Sequence, residues 1–360
     1  MAPGKNSLND EYMRKVAEIS KNYPLYWQTF VEKSGNRYSP ASIYRYTVNT
    51  GIFLRYLLKN KLCREDYTTQ DIPLLVFEEL TAEDIEEYVD YLSDYEDNGI
   101  RQSNGNAAIK VKLAAVKAFL RFLYEKGYIS HNPTEFVKSP KVVPKERRNI
   151  AENDIEELLS AILNEKLFSG KKKQMEIHHR TMNRDYAIIT LLYEMGIRIS
   201  ELTELELEDV DFGNYSLYIK GHNRNSRYVP LNDKAVKALK KYLGEENSNI
   251  KDGTRASFGE TEDNTLFLSR RRRKMAPNSI EVMIHKYAAA VFGEKIQITP
   301  ARLRSACGRE LYLKTGDINL VAGTLGHSSK EVAYRFYGQC IDEKKLEDVN
   351  DLQGSRSAIE

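Results

Sequence analysis

Residues 196–202 read Gly-Ile-Arg-Ile-Ser-Glu-Leu. The glycine closes a helical pattern over residues 183–195 and another helix opens behind it, so Arg198 stands at a junction between two helices. An arginine so placed can aim its planar fork at a bound oxyanion, and Glu201, three residues on, can orient it. A structural Arg–Glu pair has the same spacing. Three more segments follow. Lys220, before Gly221, ends residues 216–220 (Ser-Leu-Tyr-Ile-Lys), which read with residues 227–231 (Arg-Tyr-Val-Pro-Leu) as two strands joined by a polar loop over 222–226. By itself a lysine at a hairpin tip is a solvated charge. Residues 299–304 read Thr-Pro-Ala-Arg-Leu-Arg, and residues 325–329 read Leu-Gly-His-Ser-Ser, followed by Tyr334-Arg-Phe-Tyr337-Gly.

Around these segments lie 360 residues, a length that suggests about two to three domains. The chain is 41% hydrophobic and 29% charged, which is globular and excludes collagenous, disulfide-stapled or wholly disordered chains. No apolar run approaches the ~18 residues of a membrane span, and the opening MAPGKNSLNDEYMRK lacks the apolar core of a secretory signal. Cys63, Cys307 and Cys340 make neither a disulfide framework nor a metal spacing, so a reducing cytoplasm is expected. Net charge is +2, so an anionic partner must be met by local clusters of Lys and Arg.

The chain to about residue 140 reads as helical. Residues 42–59 carry Val48, Ile52 and Tyr56 at i, i+4 steps. Thr81, Glu83 and Asp84 open another helix, with acid at the positive end of its dipole. Residues 106–126 align Ile109, Leu113, Val116, Leu120 and Leu123 and end at Gly127. The opposite face carries Lys110, Lys117 and Arg121, and is either solvated or turned to DNA. Residues 139–148 (SPKVVPKERR) hold two prolines and four positive charges against one negative, which suits an extended interdomain linker able to follow phosphates. A helix over 152–163 then precedes a loop rich in Lys171, Lys172, Lys173, His178 and His179, where adjacent histidines point apart and make no metal pair. Further helices are expected over 277–290 and 303–315. In the tail over 342–353, Leu346, Val349 and Leu352 recur at three-residue steps, a small amphipathic helix suited to a groove.

In this order the four segments resemble the tyrosine recombinase (phage integrase) family, with its Xer-like and mobile-element integrases, over nearly the whole chain. The family's Gly-x-Arg-x-x-Glu-Leu motif is matched by residues 196–202. Its strand lysine before glycine, basic hairpin and Val-Pro-Leu are matched by Lys220-Gly221 and Val229-Pro230-Leu231. The His-x-Leu-Arg box is matched at Leu303 and Arg304, and the Leu-Gly-His box at residues 325–327. The family's tyrosine usually lies nine or ten residues past that histidine. Here Tyr337 is at +10, Phe336 at +9, and Tyr334 at +7 is the fallback, expected only to pack. Residues 266–275 (LFLSRRRRKM) resemble the segment before the box-two helix. One departure concerns Ala301, which stands where the family most often has histidine and can neither donate a hydrogen bond nor relay a proton. Either another group serves there or the position has been substituted to slow the chemistry; weakened activity with intact DNA binding is expected.

The resemblance implies a mainly α chain with a small antiparallel β-sheet in its C-terminal domain. Its expected parts are an N-terminal tail (1–20), a helical core DNA-binding domain (21–138), a basic linker (139–150), an α+β catalytic domain (151–340) and a C-terminal tail or helix (341–360) exchanged between protomers. The two domains would clamp a duplex. The implied catalytic residues are Tyr337, Arg198, Lys220, Arg304 and His327, with Glu201 beside them. Phosphate contacts are expected from Lys110, Lys117, Arg121, Lys145, Arg147, Arg148, Arg270, Arg271, Arg272, Arg273 and Lys274, although the arginine run also reads as an exposed loop or a localisation-like patch. The implied partners are a double-stranded DNA recombination site, a homo-tetramer on two such sites and an accessory DNA-bending or directionality factor. No membrane, metal or cofactor is implied, and the setting is the nucleoid of the cytoplasm.

Such residues suit in-line attack of a tyrosine hydroxyl on a phosphodiester, where catalysis is positioning plus stabilisation of charge on the non-bridging oxygens. Arg198 and Arg304 each present two N–H groups and His327 adds a donor. Lys220 would protonate the leaving 5′-oxygen, its pKa lowered by nearby cations. A free tyrosine has a pKa of about 10, so Tyr337 needs those cations or a base. The 3′-phosphotyrosine product keeps the phosphodiester energy and allows rejoining without ATP. Two other readings stay open: a DNA-binding protein made inert by Ala301, and a type IB topoisomerase-like relaxing enzyme. A metal-dependent nuclease is disfavoured because no carboxylate cluster accompanies the motifs. Among recombination roles, the Lys/His-rich insertion and charged tail favour integration or excision of a mobile element over chromosome-dimer resolution.

Overall fold

The computed structural model describes residues 5–62, 67–97, 99–142, 149–221, 226–244 and 264–338. The chain divides into two compact units, residues 1–146 and 147–360.

The first unit contains α1 (Lys5–Ser20), α2 (Leu25–Ser34), α3 (Pro40–Leu57), α4 (Leu74–Glu78), α5 (Ala82–Tyr91), the hairpin β1 (Asp94–Asp97) and β2 (Ile100–Ser103), and α6 (Asn106–Glu125). Residues 5–20, expected as a tail, are helical. Val16 is buried there and Ser20 Oγ accepts from Trp27 Nε1 at 3.1 Å, which fastens α1 to α2. All five apolar residues expected on one face of α6 are buried. In α3, Ile52 and Tyr56 are buried while Val48 is not. Thr81 caps α5, its backbone N–H donating to Asp84 Oδ2 at 2.8 Å in a capping box. Trp27, Phe30 and Phe119 make the centre of an aromatic core, with ring centroids 4.8 to 5.7 Å apart. Strands β1 and β2 pair antiparallel, and Arg55 of α3 grips Asp97 through two bonds of 2.6 and 2.9 Å.

The second unit contains α7 (Glu152–Ile162), α8 (Lys172–Glu194), α9 (Ile199–Glu204), β3 (Val210–Asp211), β4 (Ser216–Ile219), β5 (Arg227–Pro230), α10 (Asp233–Leu243), α11 (Pro277–Phe292), α12 (Pro300–Thr315), α13 (Ile318–Leu325) and α14 (Lys330–Tyr337). The sheet runs β3-β4-β5, antiparallel throughout, with Leu217 opposite Val229 and Ile219 opposite Arg227. The expected Lys/His-rich loop is instead largely the opening of α8, because polar residues occupy the buried face of that helix and disguise its period. His178 and Asp185 are buried, His178 between Asn164 O at 3.1 Å and the Tyr287 hydroxyl at 3.0 Å, and that hydroxyl donates to Asp185 Oδ2 at 3.0 Å. His179 meets Glu165 O at 2.9 Å, so each histidine has its own partner. The tail helix over 342–353, most of the 222–226 loop, and Cys63 and Cys340 lie outside the described residues. No helix among the described residues is long and apolar enough to cross a membrane.

Candidate active site

The site is assembled around the turn that joins α13 to α14. Gly196, just past α8, has φ of +56°, and a Cβ there would stand 2.3 Å from Leu325 Cδ2. Only glycine permits both that backbone and that approach. The chain then turns to Arg198, the N-cap of α9, whose backbone N–H and guanidinium donate to the two oxygens of Glu201 at 2.8 and 3.0 Å. The same guanidinium donates to Gly326 O at 2.8 Å. Arg304, in the second turn of α12, donates to Leu325 O at 2.6 Å and to Gly196 O. Two guanidiniums therefore converge on the carbonyls of residues 325 and 326. Burial, reinforced by Arg198 nearby, pushes the Arg304 pKa down to about 10.

His327 lies within that turn. Its Nε2 is buried and has no hydrogen-bond partner among the described residues. Burial first, then the charges of Arg304, Arg198 and Arg227, hold the imidazole below its ordinary pKa. Its ring centroid lies 6.1 Å from those of Phe336 and Tyr337. Tyr337 ends α14 and is 4% exposed, packed among Cys307, Tyr312, Val321, Leu325 and Ala333. Gly308 makes room for it: a Cβ there would lie 2.5 Å from Tyr337 Cζ and 2.6 Å from its hydroxyl. Tyr334, expected to pack, is 59% exposed, because Ala333 and Tyr337 define the buried face of α14.

Lys220 departs from expectation. Its ammonium bonds Glu206 and lies 3.4 Å from Asp209 Oδ1. The hydrogen bond to Glu206, followed after a burial penalty by the charge of Asp209, raises its pKa; its neighbours are carboxylates, not the cations that would lower it.

The site also contains a residue to which the sequence reading gave no role. Arg227 of β5 grips Glu201 with two bonds of 2.9 and 3.1 Å, and its Nε donates to Thr324 O at 3.0 Å. Burial alone would raise the Glu201 pKa, yet Arg227 and Arg198 together hold it below the ordinary carboxylate value. A signal did exist. Arg227 lies two residues before buried Val229, on the same face of the strand, and a charge there requires a partner. Ala301, in the first turn of α12, is exposed and lines an open cavity of about 520 Å³ with His285 and Glu281 of α11.

The basic candidates divide. Lys110 and Arg121 of α6 are exposed, as are Arg270, Arg271, Arg272 and Arg273 in a turn bridged at Leu268 and Lys274. Lys117 is instead partly buried, its ammonium donating to Val137 O at 2.5 Å, and Lys274 is paired with Glu204 at 2.6 Å. Lys145, Arg147 and Arg148 lie outside the described residues. Among the described residues no group of three or more His, Cys, Asp or Glu is gathered as metal ligands would be.

The profile of the phage integrase family matches residues 148–343. The XerC tyrosine recombinase of Chlorobaculum parvum is 33% identical over 225 residues, 62% of this chain and 66% of that protein. The XerC of Thermodesulfovibrio yellowstonii is 29% identical over 252 residues, 70% of this chain and 77% of that protein. Among solved structures, the XerH site-specific recombinase in a post-cleavage complex with a palindromic difH substrate has a TM-score of 0.62 at 17% identity, covering 95% of this chain and 89% of that one. The Tn1549 transposon integrase with circular-intermediate DNA has a TM-score of 0.59 at 17% identity, covering 86% and 94%. The mainly helical architecture with its small antiparallel sheets is the fold of these recombinases.

Proposed function

The chain belongs to the phage integrase family of tyrosine recombinases, and on that premise we propose that it cleaves and rejoins double-stranded DNA at specific sites through a covalent 3′-phosphotyrosine on Tyr337. The supporting observation is the convergence of Arg198, Arg304 and His327 on one turn, with the Tyr337 ring 6.1 Å from that of His327. Three guanidiniums, those of Arg198, Arg227 and Arg304, stand against a single carboxylate, Glu201, and leave net positive charge where a phosphate would sit. The unpartnered Nε2 of His327 is a donor in the tautomer protonated there, and a non-bridging phosphate oxygen would satisfy it.

The hydroxyl of Tyr337 gives up its proton to water and attacks phosphorus in line, the tyrosyl O–P bond forms and the bond to the 5′-oxygen breaks. Arg198 and Arg304 take up the charge on the non-bridging oxygens. Lys220 supplies the proton to the leaving 5′-oxygen, and its raised pKa keeps it charged at neutral pH until the phosphate draws it from Glu206 and Asp209. In the free chain the Tyr337 hydroxyl lies over the backbone of Gly308, so α14 shifts to present it. The phosphotyrosine conserves the bond energy, and cations carry the charge stabilisation, so neither ATP nor a metal is required. Ala301 makes the reaction slower than it would be with histidine. Four copies acting on two recombination sites, with integration or excision of a mobile element as outcome, complete the reading.

A nicked suicide duplex carrying the recombination site tests it. The expected product is a covalent protein–DNA adduct that persists in chelator, survives Tyr334→Phe and disappears in Tyr337→Phe. An adduct retained by Tyr337→Phe, or one lost in chelator, contradicts this mechanism.

A further inference from the structure

The geometry points to Arg227 as a positioning residue that locks Arg198, the His327 turn and the lysine hairpin into one unit. This inference rests on the catalytic reading above, while its structural half can be tested without it. Three elements meet in this side chain. Both terminal nitrogens hold the carboxylate of Glu201, which in turn holds the guanidinium and backbone N–H of Arg198. Its Nε holds Thr324 O, at the end of α13 just before the turn that offers residues 325 and 326 to Arg198 and Arg304. Its backbone lies opposite Ile219 in the β4–β5 ladder, next to Lys220.

The fit is close. Gly326 has φ of +64°, and a Cβ there would stand 2.6 Å from the Arg227 guanidinium, so the turn is shaped around that group. The Arg227 and Glu201 side chains are only 12% and 11% exposed, so the pair is screened little by solvent. Arg198 is the more exposed partner at 43% and can be shared with a phosphate. Arg227 thus holds both carboxylate oxygens from the inside, while Arg198 shares one of them from the more exposed side. A lysine cannot replace it, because one ammonium does not span a bidentate carboxylate and a carbonyl in that plane.

Two measurements test the assignment. On the suicide duplex, Arg227→Gln is expected to slow adduct formation roughly 10²-fold, the scale of losing one preorganised donor, with affinity for the duplex changed less than about threefold. Arg227→Lys should recover little. Arg198→Ala combined with Arg227→Gln should be no slower than Arg198→Ala alone, because the two act as a unit. Independently of cleavage, hydrogen exchange on the free protein should show faster exchange at the amides of Gly326 and His327, which bond Gly323 O and Ala322 O, in Arg227→Gln but not in Lys220→Ala. If the parent forms no adduct, the catalytic reading fails and the exchange result still decides the role of Arg227. Unchanged exchange, or rate losses that multiply in the double variant, would overturn the inference.

Discussion

Ala301 brings no polar side chain to the open cavity that it lines with His285 and Glu281. Placing an imidazole there should help the proposed reaction, in which His327 and Lys220 are assigned the donor roles. Ala301→His is expected to accelerate adduct formation roughly tenfold or more, toward the lower range of general acid–base effects, without changing duplex affinity; no acceleration would mean that another group already serves. His327 carries a pH prediction. Its folded pKa lies below the ordinary 6.5, so the folded state favours the neutral ring. The stabilisation is complete above pH 6.5 and is lost as pH falls through the depressed folded value. Melting curves between pH 7.5 and 5.5 should therefore fall more steeply for the parent than for His327→Gln. That Arg198, Glu201, Arg304 and His327 would be brought together was legible because their short strings, in that order, resemble a family's motifs. The partners of Lys220 were not, since Glu206 is 14 residues away and meets it only through the folded sheet. Arg227 was hidden for a similar reason: a single charged residue in a strand names no partner.

At the scale of elements, α12 and α14 meet where Gly308 faces Tyr337. Alanine at 308 would place a methyl 2.5 Å from Tyr337 Cζ and 2.8 Å from Leu325 Cδ1, and both are held in a buried cluster. Gly308→Ala should cost about 1–3 kcal/mol by overpacking, read as a lower denaturant midpoint. If Tyr337 is expelled toward solvent instead, the same variant will expose a buried tyrosine to chemical iodination. A variant matching the parent in both measurements would show that α14 does not rest as described. Helices with an apolar period were readable, α6 most plainly, because burial requires residues three and four apart. The opening of α8 was not, since His178, Thr181 and Asp185 occupy its buried face and satisfy one another across to Tyr287. The β1–β2 hairpin also escaped notice: its residues are short of apolar alternation, and Arg55 on distant α3 helps to hold it.

Over the whole molecule, basic residues that looked alike in the sequence divide into those already committed and those that are exposed. Lys274 is taken by Glu204, and Lys117 by the carbonyl of Val137. Arg270, Arg271, Arg272 and Arg273 are exposed in the second unit, and Lys110 and Arg121 in the first. Since net charge is only +2, attraction to a polyanion depends on these exposed clusters. Each phosphate contact should contribute roughly 0.9 to the slope of log affinity against log salt concentration. Replacing all four arginines with glutamine should therefore lower the magnitude of that slope by up to about 3.6, and by less for each that does not reach a phosphate. Lys274→Gln should leave the slope nearly unchanged, because the ammonium is already neutralised by its carboxylate. Lys117→Met should act on folding, lowering the melting temperature of the first unit while sparing the slope. Titrations of the duplex at several salt concentrations separate these cases. If Lys274→Gln flattens the slope as much as one of the exposed arginines does, pairing within the free protein does not decide which cations meet DNA.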